Sequence, residues 1–158
     1  MTKLRLGRLD VELTPGRIVL AGRIDDASPL GDLSPQVAAG DVTIDTEGVT
    51  FINSIGMREW MRLVRGLKDK GVVTFERVAD VLITQMNLRP EFHGARITSF
   101  HAQYVCPSCG AEAALLIDAV AEAEALRRMQ VPKLPCPECG KPMDLADFPE
   151  RYLSLFKP

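Results

Sequence analysis

Asp41-Val42-Thr43-Ile44-Asp45-Thr46-Glu47-Gly48-Val49-Thr50-Phe51-Ile52-Asn53-Ser54-Ile55-Gly56-Met57 is the segment in which one hydrophobic period gives way to another. Up to Thr46, the apolar Val42 and Ile44 alternate with Asp41, Thr43 and Asp45. A period of two puts one side of a strand on a core. Val49-Thr50-Phe51-Ile52 continues as the exit of that strand after Glu47-Gly48. From Ile55 onward Met57, Trp60, Met61, Val64 and Leu67 recur at helical spacing, and Arg58, Arg62, Arg65 and Asp69 follow the opposite face. This predicts an amphipathic helix ending at Gly71. A strand that feeds a helix of this length implies a crossover to another strand of the same sheet.

The flanking sequence supplies the rest of that sheet. Val72 to Val78 reads as a strand, Ala79 to Leu88 as a second helix stopped before Pro90, and Ala95 to Val105 alternates as a last strand. Upstream, residues 3–6 and 9–13 alternate, Thr14-Pro15-Gly16 is a turn signal, and Arg17 to Ile24 reads as a strand, together an opening hairpin. Between Asp25 and Gly40 stand Pro29, Gly31 and Pro35, which leave room only for one or two helical turns around Ser34 to Ala39. The predicted order is β-β-(α)-β-α-β-α-β. That order is an α/β fold, a mixed sheet covered by helices on at least one face.

Composition is that of a globular chain: 46% hydrophobic and 25% charged residues over 158 positions. Residues 1–100 balance at 13 basic and 13 acidic side chains, so the net charge of -2 lies in residues 101–158, with 6 basic and 8 acidic. An acidic appendage is a poor partner for phosphate backbones, and no nucleic-acid partner is expected. The N-terminal Met1 to Pro15 interrupts its apolar residues with Lys3, Arg5, Arg8, Asp10 and Glu12, and no apolar run is long enough to span a bilayer. The expectation is a cytoplasmic protein without membrane insertion, where thiols stay reduced and cysteines serve metals rather than disulfides.

All four cysteines fall in that appendage, in the near-duplicates Cys106-Pro107-Ser108-Cys109-Gly110 and Cys136-Pro137-Glu138-Cys139-Gly140. Two residues between cysteines let one tight turn present both sulfurs to a tetrahedral ion, and the glycine accepts the positive φ that closes the turn. Cys106, Cys109, Cys136 and Cys139 are therefore expected to hold one structural Zn2+. Iron in a rubredoxin-like electron carrier is the alternative, since four sulfurs alone do not separate the two metals. A module of roughly 50 residues has too small a core to do without such a staple. The division expected is a sheet domain over residues 1–105 and a zinc-ribbon-like module over residues 106–158, joined without a flexible linker. Between the cysteine pairs, Ala113 to Ile117 suits a short strand and Ala119 to Met129 a helical segment. Met143, Leu145, Phe148, Tyr152, Leu153, Leu155 and Phe156 are expected to complete the small core and its dock on the sheet domain.

The quoted stretch from Asp41, with Val42-Thr43-Ile44-Asp45 as strand, Gly48-Val49-Thr50-Phe51-Ile52 as the following step and Asn53-Ser54-Ile55-Gly56 opening a helix, resembles STAS domains, the sulfate-transporter and anti-sigma-factor-antagonist family. The resemblance covers roughly residues 8–105. It implies a STAS-like mixed sheet with helices on one side, and a serine at the helix N-terminus, here Ser54, phosphorylated by a partner kinase. Asn53 stands where the family motif usually has Asp; it keeps capping capacity and loses a charge. A phosphate at a helix N-terminus meets unpaired N–H groups and a favourable dipole, while at an interface its charge of about -1.5 to -2 repels an acidic or apolar partner. The stripe Arg58, Arg62 and Arg65 borders this turn, so Asn53, Ser54, Arg58, Arg62 and Arg65 form the candidate partner interface. An N-cap serine that is never modified is the plainer reading of Ser54.

No nucleophile motif, phosphate-binding glycine loop or triad occurs, and the expectation is a non-catalytic regulatory module that binds a protein. The resemblance implies a serine kinase of the anti-sigma type or another component of a signalling assembly, or alternatively a transporter ATPase; a homo-oligomer is compatible with either. His93 and His101 read as loop or strand histidines, and Asp25-Asp26 as a solvated turn or helix entry.

Overall fold

The computed structural model describes residues 1–158. β1 (Thr2–Leu6), β2 (Leu9–Thr14) and β3 (Arg17–Ile24) form an antiparallel meander turning at Gly7 and Gly16, both with positive φ. The segment between Asp25 and Gly40 is a 3-10 turn over Leu30–Gln36, somewhat earlier than expected, with Pro35 inside it. β4 (Val42–Ile52) runs parallel to β3 as one unbroken strand through Glu47-Gly48, its register shifting at two irregularities opposite Val19 to Arg23. The predicted helix is α1 (Ser54–Lys68), and β5 (Val73–Glu76) and α2 (Asp80–Met86) follow. The two-residue β6 (Arg96–Ile97) completes a six-stranded mixed sheet of order β1-β2-β3-β4-β5-β6.

The expected last strand, Ala95 to Val105, is in fact two strands in two sheets. β7 (Ser99–Val105) leaves the first sheet and pairs antiparallel with β8 (Glu112–Asp118). Thr98 is the pivot: its N–H donates to the Phe75 carbonyl of the first sheet at 2.9 Å, and its own carbonyl accepts from Ala119 beyond β8, also at 2.9 Å. α3 (Ala123–Arg127), β9 (Leu134–Pro135), β10 (Pro142–Leu145) and α4 (Glu150–Leu153) follow, and the second sheet has the order β8-β7-β10-β9. Residues 99–105 thus share a sheet with the cysteine-bearing hairpins, and the junction between sheets precedes the expected 105/106 boundary.

Alternation decides which face of the first sheet is covered. Ile18, Leu20, Ile44 and Phe75 are fully buried, and α1 lays Met57, Trp60, Val64 and Leu67 on the same core, Trp60 tilting against Phe75 at 5.7 Å between ring centroids. Each such large side chain contributes roughly 1.5–3 kcal/mol on burial. Leu30 and Leu33 of the 3-10 turn extend this layer. The opposite face is polar, with Arg17, Asp45, Glu76 and Arg77 linked by ion pairs.

One apolar cluster of 37 buried residues runs through both sheets, from Leu9 to Leu155, and includes Cys106 and Cys136. The junction is stitched by polar contacts as well. At the end of α2 the buried Asn87 donates to the Glu150 carbonyl at 2.6 Å and accepts from the Leu155 amide at 3.0 Å, and Phe100 stacks on Phe156 at 5.3 Å. Of the seven residues expected to complete the small core and its dock, Met143, Tyr152, Leu153 and Leu155 are buried and Leu145 and Phe156 partly so; Phe148 alone of them points to solvent, 75% exposed. No helix is long and apolar enough to cross a membrane.

Candidate metal centre and the Ser54 turn

Each cysteine pair is the turn of a hairpin. The first lies between β7 and β8, the second between β9 and β10, and the pairing of β7 with β10 sets the hairpins side by side. Both turns close alike: the Cys106 amide donates to Ala111 and the Gly110 amide to Cys106, as Cys136 does to Lys141 and Gly140 to Cys136, all at 2.8 Å. Gly110 and Gly140 have φ of 77° and 76°, conformations that side-chain-bearing residues rarely adopt. Nothing crowds either glycine, so it is φ and not space that requires them.

The result is a four-sulfur cluster. All four sulfurs lie within 4.8 Å of one another, with Cys106 to Cys139 and Cys109 to Cys136 at 3.6 Å. A tetrahedral ion bound at about 2.3 Å from each sulfur needs sulfur–sulfur edges of about 3.8 Å, and the cluster fits that requirement. Backbone N–H groups already turn towards the sulfurs, as that of Glu138 does to Cys136 Sγ at 3.4 Å. The amide of Cys109, assisted by that of Ser108, lowers the Cys106 thiol to about 6 against the effect of burial. Cys109 goes the other way: the amide of Ala111 favours its thiolate, but burial and the adjoining thiols of Cys136, Cys106 and Cys139 push it up to about 12. Four thiolates this close together require a cation to offset their repulsion. Four sulfurs saturate a tetrahedral ion and leave no position for a substrate.

The second site grows from the end of β4. Asn53 caps α1, its Oδ1 accepting from the Gly56 amide at 2.8 Å, and Ser54 is the first residue of the helix, exposed, with Ile55 beside it 44% exposed. Arg58 and Arg65 are exposed and make no ion pair. Arg62 is committed within the chain: it binds Glu59 at 2.6 Å and Asp32 of the 3-10 turn at 3.1 Å, and these carboxylates, Glu59 foremost, raise its pKa. The expected basic stripe is therefore Arg58 and Arg65, with Arg62 fastening α1 to the 3-10 turn.

The sequence did not disclose the ion-pair cluster on the polar face. Asp45, 2% exposed, accepts from Arg17 at 3.0 Å and from Arg77 Nε at 2.9 Å with one carboxylate oxygen, and from the Glu47 amide at 3.0 Å with the other. Hydrogen bonding to Asp45, with its charge, raises the Arg77 pKa. Arg77 has a positive φ of 46°, a cost this anchoring offsets, and its amide donates to Ser99 Oγ at 2.9 Å. Asp25, expected in a solvated turn, is buried and accepts from the Ala27 amide at 3.0 Å and from the Ser28 hydroxyl. His101 lies on β7 as a strand histidine, its Nε2 at 3.1 Å from Glu47 of β4, and His93 is exposed in a loop.

Comparison of the chain with protein-family profiles, with curated proteins and with solved structures found no match.

Proposed function

We propose that this protein is a non-catalytic regulatory module in which a STAS-like sheet binds a protein partner through the Ser54 turn, and a structural zinc ion on the four cysteines stiffens the second sheet beside it. The observation that carries this reading is Ser54 itself, exposed at the start of a fifteen-residue helix whose N-cap is already supplied by Asn53. Its hydroxyl is free for another role. A phosphate there would meet the positive end of the α1 dipole and leave the fold intact, while its charge would change the surface around Ile55, Arg58 and Arg65. Binding and release would then follow the phosphorylation of one side chain.

The metal would have no part in that exchange. Its four sulfurs fill a tetrahedral shell, and its binding energy, on the order of 10 kcal/mol, would add to the folding energy of the hairpins it joins. The partner is a serine kinase of the anti-sigma type or another component of a signalling assembly.

Affinity capture from the native cell with the wild-type chain, followed by capture with Ser54→Asp, tests the proposal. A partner retained by the wild type and weakened about tenfold or more by the acidic variant is the expected result, corresponding to about 1.4 kcal/mol. Indifference of every captured partner to Ser54→Asp would sink the switch, and capture of a transporter ATPase would move the module to transport regulation.

A further inference from the structure

The two sheets have four edges, and three are protected. β1 carries Lys3 and Arg5, β6 is only two residues long, and β9 is equally short and contains Pro135. Cations, brevity and proline are the usual means of keeping an edge from pairing with a foreign strand. The fourth edge, β8, has none of them. It is seven residues long, Glu-Ala-Ala-Leu-Leu-Ile-Asp, contains no proline or cation, and pairs with β7 without a bulge.

Its hydrogen bonds show which groups are free. The Cys106 amide donates to Ala111 and the Ala119 amide to Thr98, so the odd-numbered residues of β8 face β7 in the alternation of an antiparallel ladder. The even-numbered Glu112, Ala114, Leu116 and Asp118 direct their main-chain groups outward. The amides of Ala114 and Leu116 find no partner in the fold. The side chains of the same four residues lie on the exposed face, where Leu116 is 43% and Val120 just beyond it 68% exposed, next to a surface cleft lined also by Arg77 and Ser99. Between Arg96 and Arg127 there is no Lys or Arg, and the one histidine, His101, faces Glu47, while Glu112, Asp118, Glu122 and Glu124 are all acidic.

We propose that the outer edge of β8 is a docking site for an extended peptide segment with an apolar centre and Lys or Arg at both ends, added antiparallel as a fifth strand. Charge selects the occupant. Full-length antiparallel pairing of two copies of β8 would set Glu112 opposite Asp118 at both ends, a repulsive arrangement. A segment with a cation at each end instead places opposite charges there and lays its central side chains against Ala114 and Leu116. Main-chain hydrogen bonds to the free amides would give affinity, and the ends specificity.

The test uses the full-length protein and a fluorescent peptide of the length of β8, Lys-Thr-Val-Thr-Val-Thr-Lys with blocked termini, against the same peptide ended by Glu. Binding is read by anisotropy, and amide exchange at Ala114 and Leu116 by NMR. The Lys-ended peptide should bind about tenfold tighter or more, since two favourable end pairs replace two unfavourable ones. It should slow exchange at both amides, and Leu116→Lys should weaken it. Glu112→Lys, an exposed position without a partner, should shift the preference towards the Glu-ended peptide. Absence of binding, equal binding of both peptides, unchanged exchange at the two amides, or indifference to Glu112→Lys would each overturn the proposal. So would a dimer in sedimentation that Leu116→Lys dissociates, because the occupant would then be a second copy.

Discussion

Gly56 lies where α1 crosses the end of β3, and a methyl group built on it would run into the Ile24 carbonyl. Two effects of Gly56→Ala oppose each other. Alanine is the better helix former by about 1 kcal/mol, but the contact is with backbone, which cannot swing aside, and overpacking of this kind costs about 1–3 kcal/mol. Because the obstacle is backbone, the clash falls at the upper end of that range, about 2–3 kcal/mol, and the variant should lose about 1–2 kcal/mol in urea unfolding; an unchanged or raised midpoint would mean that α1 can lift from β3 without penalty. That α1 starts with a capped turn was legible in the sequence because cap and helix are neighbours in the chain, but the plainer reading puts the cap on Ser54, whereas Asn53 supplies it and Ser54 is the first helical residue. Asp45 was not legible. It occupies the polar phase of an alternating strand, and the arginines that bury it are distant in the chain, Arg17 at the start of β3 and Arg77 just beyond β5.

Elements follow the same logic one scale up. β4 and α1 were readable because the period changes from two to 3.6 within a few residues, and the opening meander because its turns carry glycines. Ala95 to Val105 misled because its alternation continues through Thr98, and period says nothing about which sheet a strand joins. β7 is held in the second sheet by its ladder with β8 and its pairing with β10, and two tyrosines add to these contacts. Tyr104 of β7 donates to the Pro132 carbonyl at 2.8 Å, and Tyr152 of α4 accepts from the Gln103 amide at 3.2 Å. Burial is the first cause raising both phenols above their ordinary value of 10.0. A folded pKa above the unfolded one means that the unfolded chain loses its phenolic protons first. The stabilisation is complete below about pH 10 and declines as the pH rises past it. Tyr104→Phe with Tyr152→Phe should therefore flatten the alkaline limb of a stability–pH profile, while costing about 1 kcal/mol at neutral pH for each of the two hydrogen bonds lost, at the Pro132 carbonyl and at the Gln103 amide. An alkaline limb as steep as the wild type's would assign that loss to other groups.

Across the whole molecule, the apolar cluster that includes Cys106 and Cys136 also contains Trp60 and Phe75, so the four-sulfur centre is built into the same core as the Ser54 sheet. The cysteine spacing was legible from sequence alone, since each pair is a local turn. The dock of the last apolar residues on the first sheet was expected as well; what could not be read was its polar seam, because Asn87 at the end of α2 meets Glu150 and Leu155 more than sixty residues away. Under the function proposed above, the ion would be a closed structural element and the chemistry of regulation would lie at Ser54. Native mass spectrometry of the full-length protein, combined with its visible absorption spectrum, tests that claim most directly. One zinc ion per chain, no colour, and loss of the ion on acidification as the four sulfurs regain their protons are the expected results. A metal-free mass in the folded protein, or a red protein whose mass shows iron, would contradict it.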